Sequence, residues 1–436
     1  MIRISTSMIF DQGVFNMQNA TSALLKTQNQ ISAGRKLLTP ADDPVAAARS
    51  LEVSQSQAIT DQYARNTDSA TASLGLSDNA LASVTTLIQN VKTLAVNAGD
   101  GSLTQTDLSS IATALRSNYQ QLLGLSNSTD GNGQYLFSGF QGSTQPFAEL
   151  TPGVVAYQGD QGQRLVQISA SRQVPSSDAG SDIFQLIKTG NRTFTTTAVA
   201  GNTGTGVVSP GTVTNPVAWN AAGNPKDFTV KFFVDSTVSP PVTTYDIVDN
   251  TTGNSLLTGA ASGAGPYLRT YTDAGTITLA TQSPPDTNPT PFDYGATLSV
   301  SGQPATGDTF TVKTSTNQDI FTTLNDLITA VDNAQRTATG AADLSNALNT
   351  AQSNLNNALD NVLRVRASIG TRLNEVDAAK SSANDLSNQY ASTLSGLRDL
   401  DYAKSISDLA QQQITLQAAQ QSFAKVNGLS LFNFLG

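Results

Sequence analysis

The chain has 436 residues, enough for two or three domains with a sizeable core. It contains no Cys and no His, which excludes disulfides, thiolate nucleophiles, Cys/His zinc sites and the commonest general base. Its 24 basic and 33 acidic residues give a net charge of −9, which argues against nucleic acid or an anionic membrane surface as a partner. The opening "MIRISTSMIFDQG" shows no basic stretch followed by a sustained apolar one, and no run of about eighteen apolar residues occurs. No cleaved signal peptide and no membrane insertion are therefore expected.

The first element has a regular apolar spacing. Phe10, Met17, Leu24, Ile31 and Leu38 recur every seven residues, and Gly13, Ala20, Thr27 and Gly34 follow three places after the first four. This predicts a helix reaching residue 38 whose seam faces another helix, with small residues permitting close approach. "TPADDPVAAARS" (39–50) breaks that helix and starts a second, with Asp43 as N-cap and Pro44 at the first helical position. The second helix is expected to run to Ala98, with Leu74, Leu81 and Ile88 at one seam position and Val84 and Val91 at the other. At that length it would measure about 80 Å. "LTQTDL" opens a third, where Thr104 and Asp107 have capping-box spacing.

The third helix runs into "NSTDGNGQYLFSGF" (127–140). Counted as an EF-hand loop from Asp130, this stretch has Tyr135 where a Gly must turn and Gln141 where the bidentate Glu belongs. The adjacent Asp-Gly and Asn-Gly pairs instead predict tight turns leading from helix into strands. From about 141 to 316 Gly, Pro, Thr and Ser dominate. Alternating runs at 228–235, 243–248, 275–280 and 308–313 predict an antiparallel sandwich or partly open barrel. "LIKTGNRTFT" (186–195) and "TVKTSTNQDI" (311–320) are expected to pair, and "GNTGTG" (201–206) reads as a flexible linker.

The C-terminal part mirrors the N-terminal one. Leu348, Leu355, Val362, Ile369 and Val376 repeat by seven, and so do Tyr402, Leu409, Leu416 and Phe423 after a less regular patch. Gly370 costs a helix about 1 kcal/mol, which suggests close packing or a local bend there. The expected fold class is α+β: an elongated multi-domain chain with N- and C-terminal helices paired in a bundle or coiled coil, and an inserted antiparallel β domain. The expected parts are terminal arms 1–40 and 398–436, a helical bundle with a β-hairpin region over 41–189 and 316–397, and an inserted β domain over 190–315.

No residues call for catalysis. Adjacent Asp42 and Asp43 cannot oppose each other across a glycosidic bond, and helix capping accounts for them. Asp399 and Asp401 read as caps or a solvated face at a helix break, and Arg364, Arg366 and Arg372 as partners of nearby acids. No catalytic, cofactor-binding or metal-binding residue is assigned. The candidate functional residues are the arm seams, Phe10, Met17, Leu24, Ile31, Tyr402, Leu409, Leu416 and Phe423, as an assembly interface. Seams this short are marginal without a partner face.

"RIST" (3–6), "QISAGRKLLTPADDPVAAA" (30–48), "NSTDGNGQYLFSG" (127–139), "VRASIGTRLNEV" (365–376) and "LSLFNFL" (429–435) together resemble the flagellin-like axial proteins of the bacterial flagellum. Within that group they are most similar to the hook-associated protein 3 (FlgL) family of hook-filament junction proteins. The resemblance implies a non-enzymatic adapter, exported unfolded by the flagellar type III route with a dedicated export chaperone. It further implies an extracellular place at the hook-filament junction. Its partners would be hook-associated protein 1, flagellin and copies of itself in a helical ring layer. The alternatives are a flagellin filament subunit and, more distantly, a surface adhesin whose β region binds a ligand.

Overall fold

Helix α1 (Thr6–Ala33) stops five residues before the last heptad position, Leu38. The reason is Gly34, whose φ of +68° turns the chain left-handed. Its N–H donates to Ile31 O (3.3 Å) and that of Arg35 to Gln30 O (3.2 Å), the Schellman arrangement that satisfies the last helical carbonyls. Leu38 therefore lies in an exposed loop rather than on the seam.

The computed structural model describes residues 6–432. The remaining helices are α2 (Pro44–Ala98), α3 (Gln105–Ser126), α4 (Gly180–Phe184), α5 (Pro216–Asn220), α6 (Ile320–Asp332), α7 (Ala338–Arg398) and α8 (Tyr402–Phe432). Residues 3–5 of the first family-like segment and 433–435 of the last lie outside the described residues. The chain divides into two units: Met1–Asp68 with Gln167–Arg172 and Asp377–Gly436, and Ser69–Val166 with Gln173–Val376.

In the first unit, capping chemistry sets the helix starts as expected. Asp43 Oδ1 accepts the Ala46 N–H (3.0 Å) ahead of Pro44. Asp401 Oδ1 accepts the Lys404 N–H (3.1 Å) at the start of α8. The two chain reversals beside these caps are bonded to each other. Lys36 N–H donates to Arg398 O (2.9 Å) and Leu400 N–H to Gly34 O (3.2 Å), flanking an isolated β-bridge between Arg35 and Asp399.

The second unit has a helical core and a β sandwich. Leu74, Leu81, Val84, Ile88 and Val91 of α2 and Leu355, Val362, Ile369 and Val376 of α7 are buried, as their seven-residue spacing predicts. Thr104 and Asp107 form the reciprocal capping box of α3. Helix α6, which the sequence reading did not separate from its neighbours, is capped by Asp319 and packs on α3. After α3 the Asp130 carboxylate accepts the Asn132 (3.0 Å) and Gln134 (2.8 Å) N–H groups, holding a turn with Gly133 at φ +82°. Phe137 then enters the core and packs edge-on against Phe184, which also meets Phe147. That is the expected passage from helix to strand.

The β region contains two antiparallel sheets. One has the order Asn254–Ser255, Val242–Asp249, Asp227–Asp235, Thr309–Thr314, Phe194–Ala198, with Arg269–Thr270 also on Val242–Asp249. The other runs Thr276–Ala280, Asp293–Ser301, Val207–Val208, with Thr212–Val213 also on Asp293–Ser301. Phe228, Val230, Phe232, Ile247 and Phe310 of the first share a core with Ile277, Leu279, Leu298 and Val300 of the second, so the two make a sandwich. Phe194 pairs with Thr314 and Lys188 with Asn317, so the two ends of the insert meet as their flanking sequences predict.

Two further expectations are revised. "GNTGTG" is not a flexible linker: buried Asp308 accepts the Thr203 (2.7 Å) and Gly204 (3.0 Å) N–H groups, and a Cβ at Gly204 would lie 2.4 Å from the Ala305 nitrogen. A carboxylate in need of donors fixes this glycine-rich turn. Gly370 is not tightly packed, since a Cβ there would meet nothing within 4 Å, and α7 runs through it without a break.

Candidate assembly interface

Helices α1 and α8 pack along their length. At one end the Phe423 ring lies over Gly13, where a Cβ would come within 2.6 Å of its Cδ2, and its centroid is 5.2 Å from that of Phe10. At the other end Tyr402 approaches Gly34, whose added Cβ would lie 2.8 Å from the hydroxyl. The 21-residue step from Gly13 to Gly34 matches the step from Phe423 back to Tyr402, which defines an antiparallel pair in constant register. That register sets Ala20 opposite Leu416 and Thr27 opposite Leu409. Each small residue of α1 thus meets a large residue of α8, which is why the sequence alternates them at heptad spacing.

Of the predicted interface residues, Met17, Leu24, Ile31, Leu409, Leu416 and Phe423 are half-buried, while Phe10 and Tyr402 stay exposed. The half-buried ones occupy the seam between the chain's own two arms. Within that seam Gln412 Oε1 is buried with no hydrogen-bond partner. An unpaired buried amide oxygen costs about 1–3 kcal/mol, so the pairing is weakened near its centre.

A different set of apolar side chains faces away from the seam. Met8, Phe15 and Leu25 of α1 are 66%, 57% and 51% exposed, and Ile406 and Ile414 of α8 are 55% and 68% exposed. With the seam as heptad positions a and d, these residues occupy b, e and f. Met8, Phe15 and Ile414 are at f, which points away from the partner helix, so each arm presents them outward, while Leu25 at b and Ile406 at e lie nearer the flank. The c positions hold Gln12, Asn19, Lys26, Lys404 and Gln411, all exposed. Each arm therefore carries exposed apolar side chains away from the seam. Heptad reading missed these side chains because b, e and f normally face solvent. The available signal was the seven-residue step from Met8 to Phe15, two places before Phe10 and Met17.

Beside the arms, the Lys26 ammonium sits 2.7 Å from Asp42 Oδ1, and the Thr39 and Leu38 N–H groups donate to Oδ2. Together they hold the Asp42 carboxyl well below the usual carboxylate range, the Lys26 bond contributing most. The adjacent acids divide their work, Asp43 capping α2 and Asp42 fixing the preceding loop. In the second unit the arginines find acids as expected: Arg366 Nε donates to Asp78 (2.8 Å) and Arg372 to both oxygens of Asp178 (2.9 Å). Arg364 departs from this, donating to Asn361 Oδ1 (2.8 Å) instead of an acid.

Residues 4–142 match the bacterial flagellin N-terminal helical region, and residues 352–435 match the bacterial flagellin C-terminal helical region. Flagellar hook-associated protein 3 of Salmonella typhimurium is 26% identical over 431 residues, covering 99% of each chain. A crystal structure of Xanthomonas campestris FlgL is 30% identical, covering 78% of this chain and 99% of that one, with a TM-score of 0.62. The flagellar junction protein FlgL of Legionella pneumophila is 25% identical, covering 80% and 100%, with a TM-score of 0.67. The chain belongs to the flagellar hook-associated protein 3 (FlgL) family, structural junction proteins of the bacterial flagellum and not enzymes.

Proposed function

We propose that the chain joins the hook, through hook-associated protein 1, to the flagellin filament, and that the exposed apolar side chains of α1 and α8 form its assembly surface. The observation that carries this reading is the set Met8, Phe15, Leu25, Ile406 and Ile414, exposed on helices whose seam is already filled. Covering each of these side chains contributes roughly 1 kcal/mol or more. Copies arranged head to tail with a rotation that does not close build a helical layer, leaving one surface for the subunits below and another for those above. Leu409, Leu416 and their seam partners act one step earlier, by pairing the arms that carry these side chains. The chain travels unfolded through the flagellar export channel with a dedicated chaperone and works outside the cell at the hook-filament junction. The weakened α1–α8 pairing suits arms that order fully only beside neighbours.

The test is complementation of a strain lacking the protein. Phe15→Asp and Ile414→Asp should leave secretion intact and reduce attached filaments at least tenfold, with flagellin lost to the medium. Normal filament counts with both variants would overturn the assignment of this surface. Growth of long filaments from the purified protein alone would favour a flagellin-like subunit instead.

A further inference from the structure

Helix α7 turns a row of asparagines toward the β region. Asn346, Asn354 and Asn357 are buried, and Asn361 follows one turn later on the same face. Asn346 Oδ1 accepts the Val208 N–H (2.8 Å), and its amide donates to Gly206 O (2.9 Å). Asn354 Oδ1 accepts the Gly190 N–H (2.9 Å). The Asn357 amide donates to both Lys188 O (2.7 Å) and Gly190 O (2.8 Å), while its Oδ1 accepts from Arg192 Nε (2.9 Å). Asn361 donates to Asp182 O (2.8 Å) and Ile183 O (2.9 Å). A helix here supplies the hydrogen bonds that a neighbouring strand would otherwise give to the backbone of 182–208.

The backbone of this neck has been shaped to fit. Arg192 has a φ of 74°, a conformation uncommon outside glycine, and its guanidinium also reaches Asp360 on α7. The comb grips two places, the neck at residues 188–192 and the second sheet at residues 206–208. A sandwich attached only by its two crossing chains could swivel about them. Bonds at two separated points on one rigid helix remove that freedom.

We infer that Asn346, Asn354 and Asn357 are positioning residues that fix the orientation of the β region on the helical scaffold. They are not needed for the β region to fold, because its apolar core is built from the sandwich itself and Trp219. The inference does not depend on which flagellar partners the arms meet.

Trp219 is the chain's only tryptophan and is buried in that core, so it reports on the β region alone. Time-resolved fluorescence anisotropy of the full chain should show one slow rotation in the natural protein. In the triple variant Asn346→Ala, Asn354→Ala, Asn357→Ala, a faster component matching the β region alone should appear, with the Trp219 emission maximum unchanged. Two single variants sharpen the test. Asn354→Asp keeps the acceptor for the Gly190 N–H and should stay slow. Asn357→Asp replaces two donated bonds with a charge facing two carbonyls and should gain the fast component. A triple variant that still rotates as one body overturns the inference, and so do single variants that behave alike. A red-shifted Trp219 would also overturn it, by making the comb part of the folding core.

Discussion

Two glycines separate what a backbone position permits from what its neighbours demand. At Gly370 an added methyl meets open space inside α7, so Gly370→Ala should stabilise the second unit by up to about 1 kcal/mol. A rise in its thermal midpoint by circular dichroism checks this. At Gly13 the Phe423 ring fills the space, so Gly13→Leu should cost the arm pair about 1–3 kcal/mol. Loss of α1 and α8 helicity with the rest of the chain intact would be its signature. Asp42 gives a pH dependence of known sign. Its folded pKa lies below the unfolded value near about 4, so the unfolded chain binds more protons in between. The contribution is complete above about pH 4 and disappears as the pH falls through the folded value. The stability difference between the natural chain and Asp42→Asn should therefore be constant near neutrality and shrink in acid.

At the scale of the element, the α1–α8 pair has one helix-wide seam and an unsatisfied Gln412 within it. Replacing that side chain by Leu removes the unpaired amide and adds apolar contact. Gln412→Leu should slow amide hydrogen exchange throughout α1 and α8, whereas Leu416→Asp should accelerate it by placing a carboxylate in the seam. In the natural monomer, limited proteolysis should cut first within the two arms and spare the second unit, whose α2 and α7 seams are largely buried. Equal resistance of arms and core would show that the arms need no neighbours for order.

For the whole molecule, the seat of the β region predicts what its removal would leave behind. Thr189 N–H donates to Thr316 O (3.0 Å), so a short Gly/Ser bridge can span the cut ends. The face of α7 uncovered at the comb is lined with Asn346, Asn354 and Asn357, which water can satisfy. A chain lacking 190–315 should therefore fold, be exported and restore attached filaments in a strain without the protein, as counted by electron microscopy. Secretion of the shortened chain without filament attachment would make the β region part of the joint.

Much of this was legible from the sequence because its causes are local. Heptad spacing gave the arms and the buried faces of α2 and α7, and side chains such as Asp43, Thr104 and Asp401 marked helix starts through bonds to residues two or three places away. The end of α1 was misplaced by five residues because Leu38 keeps the apolar period while Gly34, one residue in a left-handed conformation, stops the helix. The asparagine comb, the Asp308 turn and the outward-facing apolar side chains of the arms were not legible. Each depends on which distant backbone or helix lies opposite, and a residue's own neighbours in sequence carry no record of that. Only the tertiary fold decided that the predicted seam residues face the chain's own second arm, leaving Phe15 and Ile414 to face outward.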